Sequence, residues 1–598
     1  MRWRAKALLL AGAGALVVAL PVLGQSRDAP ESILPPGFND PANVPPSENK
    51  AAPQQPDRPP PGQSAPSVPT AAPTGEPSGN ALGDIEEVAL DQAAIPRPTN
   101  YFTIPEGAAR PTDVVGPLEP GHFGLGPNAF GPGDARLYAA LMRRVHAPLP
   151  SRWTSILLRR ALLSRLAAPA GVQPVDWVAE RAGLLLRMGE ADGARMLVES
   201  VDAQNYTPRM VEVAAQTALA TADPSALCPL VAPARSWSRD TVWILADGMC
   251  AALEGEAARA TALIDQARGE AGTSVDLLLA EKVVGAGAET RRAVDIQWDG
   301  VNEINPWRFG LASAVGLEIP ARLIGAAPPE MRAWLARAPM VPLEQRLDAA
   351  STAATLGVFS SHSLVELYSL MLDETDPAEV SGSVAERLRN AWVGRDAAAR
   401  MEAMRALWVQ EGADPYARSI LTAGAAARIA PSADYAADAG ALIAAMLSAG
   451  MDREAARWAP VVEDADEGDR AWALLAVGAP RPVVGDRLDA FVAADDTPGR
   501  QRSQLLAAAL AGLGRITADR AASAGFRPGE EDRWTMAIEQ AAEQRAPGAV
   551  ALLAGVGMQT ATWQGVPAPY LYRIVRALRE VGMDYEARMI AAEAVARL

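Results

Sequence analysis

From about residue 134 to the end of the chain, apolar residues return at three- and four-residue intervals, the spacing that lines one face of a helix. Asp134 is placed to cap a first helix over residues 136–145. Ser151 is placed to cap a second, in which Trp153, Ile156, Leu157 and Leu163 share a side. Proline and glycine break the pattern roughly every 10 to 20 residues, and no run alternates β-branched residues as a half-buried strand would. The pattern predicts an all-α body over 134–598, an α-solenoid of antiparallel helix hairpins.

The hairpins repeat a local grammar. An apolar amphipathic segment ends at Gly189, Gly255, Gly450 or Gly582, and an alanine follows five residues later (Ala194, Ala260, Ala455, Ala587). Glycine supplies the left-handed residue that stops a helix, and the small alanine lets two helices cross closely. Asp452 and Asp584, two residues after their glycines, are expected to cap the second helix. The four glycines lie 66, 195 and 132 residues apart, near multiples of a 33-residue unit. On these residues the chain resembles divergent tetratricopeptide-like α-solenoid repeat proteins of the bacterial cell envelope. The resemblance covers about 135–598, and no hairpin matches the aromatic, Gly-Tyr and proline positions of the fuller consensus. It implies a right-handed solenoid with a concave surface for a protein or peptide, and no chemistry of its own.

Ahead of the body the pattern changes. Residues 1–24 have a basic start (Arg2, Arg4, Lys6) and an apolar run over 7–23, with Val22 and Gly24 before a cut at Gln25. That is the layout of a cleaved signal peptide, placing the mature chain in the periplasm or outside the cell. The apolar run is also near the length of a membrane span, so the alternative is an uncleaved inner-membrane anchor; Pro21 and the small residues favour cleavage. No later segment is apolar for long enough to cross a bilayer. Residues 25–95 are proline-rich and hold too little apolar area to offset chain entropy, which predicts a disordered linker. Inside it Ile33-Leu34-Pro35-Pro36-Gly37-Phe38 reads either as a short docking motif or as a sticky piece of linker. Residues 96–133 are still rich in Gly and Pro but carry Tyr101, Phe102, Phe123 and Phe130, which predicts an extension lying on the body with little regular structure.

The formal charge is −16, and without the three positive charges of the leader it is −19. Such a balance argues against nucleic acid or an anionic membrane as the principal partner. Lysine occurs only at 6, 50 and 282, so almost every cation is arginine. Against this background, residues 135–175 hold seven arginines (Arg136, Arg143, Arg144, Arg152, Arg159, Arg160, Arg165) and no acid. Two readings stand: a basic face for an anionic partner, or pairing with carboxylates of neighbouring hairpins. The two cysteines, Cys228 and Cys250, read as a disulfide in an oxidising compartment or as two buried thiols.

Residues that carry chemistry are sparse. His122, His146 and His362 are too scattered for a zinc site, and neither a nucleophile elbow nor a phosphate-binding glycine loop occurs, so no cofactor is expected. Glu463, Asp464, Asp466, Glu467 and Asp469 lack the spacing of a calcium loop. Gly557-Met558-Gln559 is similar to a segment of lytic transglycosylases, but Glu539 and Glu543 lack the Glu-Ser pair and the Asn-Pro turn that those enzymes require. The leading expectation is a non-catalytic envelope scaffold or adaptor that binds a protein or peptide. The alternatives are a cell-wall-active enzyme with unplaced carboxylates and a structural subunit of an envelope or secretion complex.

Overall fold

The computed structural model describes residues 104, 107–288, 294–464 and 469–598. The expected signal segment 1–24, the linker 25–95, Tyr101, Phe102 and the middle of the 463–469 acidic run lie outside the described residues. Within them the chain is mostly helical, and the two named strands have two residues each. The first two helices, Ala135–Arg144 and Arg152–Leu163, begin at Asp134 and Ser151, whose side chains accept from the N–H of Arg136 and Thr154.

The glycine-centred turn recurs with near-identical geometry. Gly189, Gly255, Gly450 and Gly582 have φ of 86°, 82°, 80° and 82°. The residue after each donates its N–H five residues back, as in Glu190 to Leu185 and Met583 to Leu578, the long bond of a Schellman cap. Ala194, Ala260, Ala455 and Ala587 are all fully buried at the crossing. The expected aspartate caps are corrected: Asp452 and Asp584 are the first helical residues, and the caps are Met451 and Met583, which make no side-chain bond. The aspartates instead face one arginine, with Arg588 Nη1 2.7 Å from Asp452 and Nε 2.9 Å from Asp584. Gly450 and Gly582 are therefore sequence-distant but adjacent in space, and Tyr585 Oη donates to the Gly450 carbonyl at 2.9 Å.

The ends of the body also meet. The Arg152–Leu163 helix packs against Pro174–Arg187 nearby and against Pro547–Gly557 and Asp584–Ala596 near the far end of the chain. In an array whose units touch only their neighbours the two ends stay apart. Here Glu593 caps the N-terminus of the Arg152–Leu163 helix: Ser151 Oγ donates to it at 2.7 Å, Arg152 N at 2.9 Å and Trp153 N at 3.1 Å. A carboxylate at that point satisfies orphan N–H groups and complements the positive end of the helix dipole.

The extension over 107–133 lies on this closure. Phe130 is buried with edge contacts to Tyr138 and Trp177, and the Ala129 carbonyl accepts from Gly548 N at 2.7 Å, capping the Pro547–Gly557 helix. The uniformly helical reading needs one correction: Val114–Val115 pairs antiparallel with Leu166–Ala167, two residues just past the second helix. Buried Arg181 explains the pairing. It donates to the carbonyls of Leu162, Ser164 and Val115, tying the helix end to the extension. Burial pulls its guanidinium down to about 9.

Candidate functional site

The seven arginines of 135–175 do not share one exposed face. Arg152 is 3% exposed, which corrects its place in a surface for an anionic partner. Its guanidinium donates to the carbonyls of Ser448, Ala354 and Phe359, gathering three distant segments around one helix start. Burial holds it below the usual arginine value, against the pull of Tyr416 and Glu593. Four others meet carboxylates: Arg143 with Glu180, Arg159 with Glu190, Arg160 with Glu586 and Arg165 with Glu119. Arg136 Nε donates to the Gly171 carbonyl, and Arg144 is exposed. Close opposite charges neutralise most of the local excess that the linear sequence displays.

Cys228 and Cys250 are joined as a disulfide between the Cys228–Trp237 and Thr241–Leu253 helices. Of the transglycosylase-like residues, Met558 is fully buried and accepts from Thr154 Oγ1, while Glu539 is engaged by Arg573. Glu543 is exposed. No group of three His, Cys, Asp or Glu among the described residues is placed to hold a metal ion. No helix among them is long and apolar enough to cross a membrane.

A concavity lies among the Ser361–Glu374, Val384–Val393 and Pro415–Ala426 helices, which all touch one another. Each starts on a side-chain cap: Ser360 accepts from Ser363 N, Ser383 from Glu386 N, and Asp414 from Tyr416 and Ala417 N, with Pro415 at the first helical position. Between them is a cavity of about 470 Å³ whose walls include Val365, Tyr368, Leu372, Leu388 and Trp392. His362 and Arg389 supply polar groups at its lining. Pockets of this size with an apolar lining and few polar groups hold small ligands or the side chains of a short peptide.

Two features of the Pro415–Ala426 helix make the space. A Cβ at Gly424 would stand 2.6 Å from the edge of the Trp392 ring, so glycine lets the indole approach this helix closely. One turn further, the Arg428 guanidinium sits 5.6 Å from the Trp392 ring centre. At the cavity lining Arg418 Nη1 donates to Tyr368 Oη at 3.2 Å, which fixes the phenol. The Trp392 indole N–H has no acceptor among the described residues. A buried donor left in that state costs the fold free energy.

Apart from His362, none of these cavity residues stands out in the sequence. Trp392 and Leu388 fit an ordinary apolar helix face, and Gly424 sits in a run of alanines. The one local signal is a glycine inside a helix interior, where it weakens the helix unless something packs on it. Comparison of the chain with protein-family models, with curated proteins and with solved structures finds no match.

Proposed function

We propose that this protein is an exported, non-catalytic scaffold or adaptor that holds a short, extended, apolar segment of a cell-envelope protein in the cavity between Tyr368 and Trp392. The observation that carries the reading is that cavity: an apolar lining with two aromatic side chains, Tyr368 and Trp392, the second seated against Gly424. Extended peptides are recognised in this way, through side-chain pockets between aromatics and a few donors to the peptide carbonyls. The basic start and apolar run of residues 1–24 support export, with the periplasm as the working compartment. The disulfide-forming cysteines fit an oxidising surrounding.

The recurrent glycine turns support a tetratricopeptide-like arrangement in which helix pairs stack with right-handed winding. Packing between the first and last helices adds a closure that an open array lacks. A closed body is a stiff mount for a peptide site, because the helices around the cavity are braced from both ends of the chain.

Panning a random peptide library against the immobilised full chain tests the reading. Apolar peptides containing proline or aromatic residues are expected, with binding lost in Gly424→Ala, which drives Trp392 off its seat. Recovery of no peptide whose binding depends on Gly424 sinks the proposal. Release of fragments from purified peptidoglycan favours the cell-wall enzyme instead.

A further inference from the structure

We infer that the resting occupant of this cavity is the chain's own segment Ile33-Leu34-Pro35-Pro36-Gly37-Phe38, so that an outside partner must displace it. The inference rests on the peptide-binding reading of the cavity and adds how that site is regulated.

Three observations converge on this occupant. The first is chemical fit. Pro35 and Pro36 restrict their own backbone and that of the residue before each to extended conformations, so little entropy is lost on docking. Extended proline segments seat against aromatic side chains, matching Tyr368 and Trp392 at the cavity lining. Phe38 and Leu34 supply the apolar side chains for the floor formed by Leu388 and its neighbours.

The second is charge. Three acids, Asp28, Glu31 and Asp40, against one arginine, Arg27, flank the segment, while the cavity lining contributes exposed Arg389. An acidic flank beside an arginine favours one direction of docking and disfavours a basic competitor.

The third is reach. Phe38 is 66 residues before Ile104, where the described chain begins. A coil of that length spans at least about 45 Å root-mean-square, and proline extends it. The described chain starts close by in the fold. Arg110 is tied to Asp202, just past the Ala191–Val198 helix, whose Asp192 pairs with Arg337 of the Pro329–Arg337 helix. That helix packs on Leu343–Thr355, which packs on Ser361–Glu374 at the cavity. Three helix layers of roughly 10 Å each leave the cavity within reach. A tether of this kind gives an effective concentration on the order of millimolar, so even a weak motif occupies its site.

The test replaces Phe38 in the full chain with a benzophenone amino acid and maps the photo-crosslink by mass spectrometry. The expected product is intramolecular, joining position 38 to peptides covering 361–374 or 384–393. A second measurement titrates a labelled synthetic peptide of residues 28–42 onto the full chain and onto its Phe38→Asp variant, a change outside the folded body. Removing the internal competitor is expected to tighten apparent binding about three- to tenfold, for a dissociation constant of a few tenths of the effective concentration. Crosslinks to another surface, crosslinks between two copies, or equal affinity of the two chains overturn the inference. If library-selected peptides still bind at the cavity, only the internal occupant is wrong. If they too fail to bind, the peptide-binding reading falls with it.

Discussion

Glu593 offers the most exacting test of how this fold is closed. Its side chain is wholly buried, and both carboxylate oxygens are used: Oε2 by Ser151 Oγ and Trp153 N, Oε1 by Arg152 N and by Arg597 Nη1 at 3.1 Å. Glu593→Ala leaves two helix N–H groups unpaired and strips the buried Arg152 and the partly buried Arg597 of their nearest anion. Removing one partner of a buried charge network costs about 3–5 kcal/mol. Glu593→Gln keeps the shape, but either orientation of the amide turns an NH₂ toward donors, at a cost of about 2–3 kcal/mol. Hydrogen–deuterium exchange by mass spectrometry reads this locally. With each 1.4 kcal/mol worth tenfold, Glu593→Ala raises exchange across residues 151–163 and 584–596 by about a hundredfold to a few thousandfold. The Ala257–Ala271 helix, which packs on its own chain neighbours away from the seam, keeps its protection. A change below about threefold at the seam, or an equal change everywhere, refutes the idea that this carboxylate locks the two ends as a local unit.

Further outcomes follow from particular contacts. Arg181→Lys loses a fork that serves three carbonyls at once and is expected to cost about 2–3 kcal/mol in urea unfolding, although charge is conserved. Ala222 and Arg545 occupy the left-handed turn position that glycine fills elsewhere, at φ of 53° and 52°, so Ala222→Gly and Arg545→Gly should each stabilise by about 0.5–1 kcal/mol, visible as a higher urea midpoint. Burial pushes the Tyr206 and Tyr585 phenols up to about 12. Between pH 10 and that value the unfolded chain releases these protons while the folded chain keeps them, so stability falls as pH rises through the window. Tyr206→Phe with Tyr585→Phe should flatten that fall in unfolding curves taken from pH 9 to 12. Cys228→Ser with Cys250→Ser opens a 22-residue loop and should cost about 3 kcal/mol, with reductant giving the same loss in the parent chain and none in the variant.

The helical body was legible because its signals are local. Asp134 and Ser151 cap the helices they were expected to cap, and the glycines at 189, 255, 450 and 582 all take the left-handed turn. The same turn at Ala222 and Arg545 was not legible, because nothing in those side chains asks for positive φ; surrounding packing imposes it. The aspartates at 452 and 584 were misread for a related reason. A capping residue and a first-turn residue differ by one position, and the choice here is set by Arg588, which lies beyond the local sequence window of Asp452.

The candidate site lay further from view. Seven arginines without an acid in 135–175 form a strong pattern along the chain, yet Glu190 and Glu586 come from outside that window and answer two of them. The cavity depends on Trp392 resting against Gly424 and on Arg418 holding Tyr368, contacts between helices that the sequence spaces 32 and 50 residues apart.

Taken by itself, the sequence determined what is decided within a turn or two of chain: that the body is helical, where many helices start and stop, and which residues face inward. Capping, left-handed turns and apolar periodicity act over a few residues, so they survive reading in one dimension. Only the tertiary structure decided that the ends of the body meet at Glu593, that Arg152 is interior, and that three helices leave a space beside Trp392. Those features depend on groups as many as 442 residues apart, and no local preference encodes which distant surfaces will pack together.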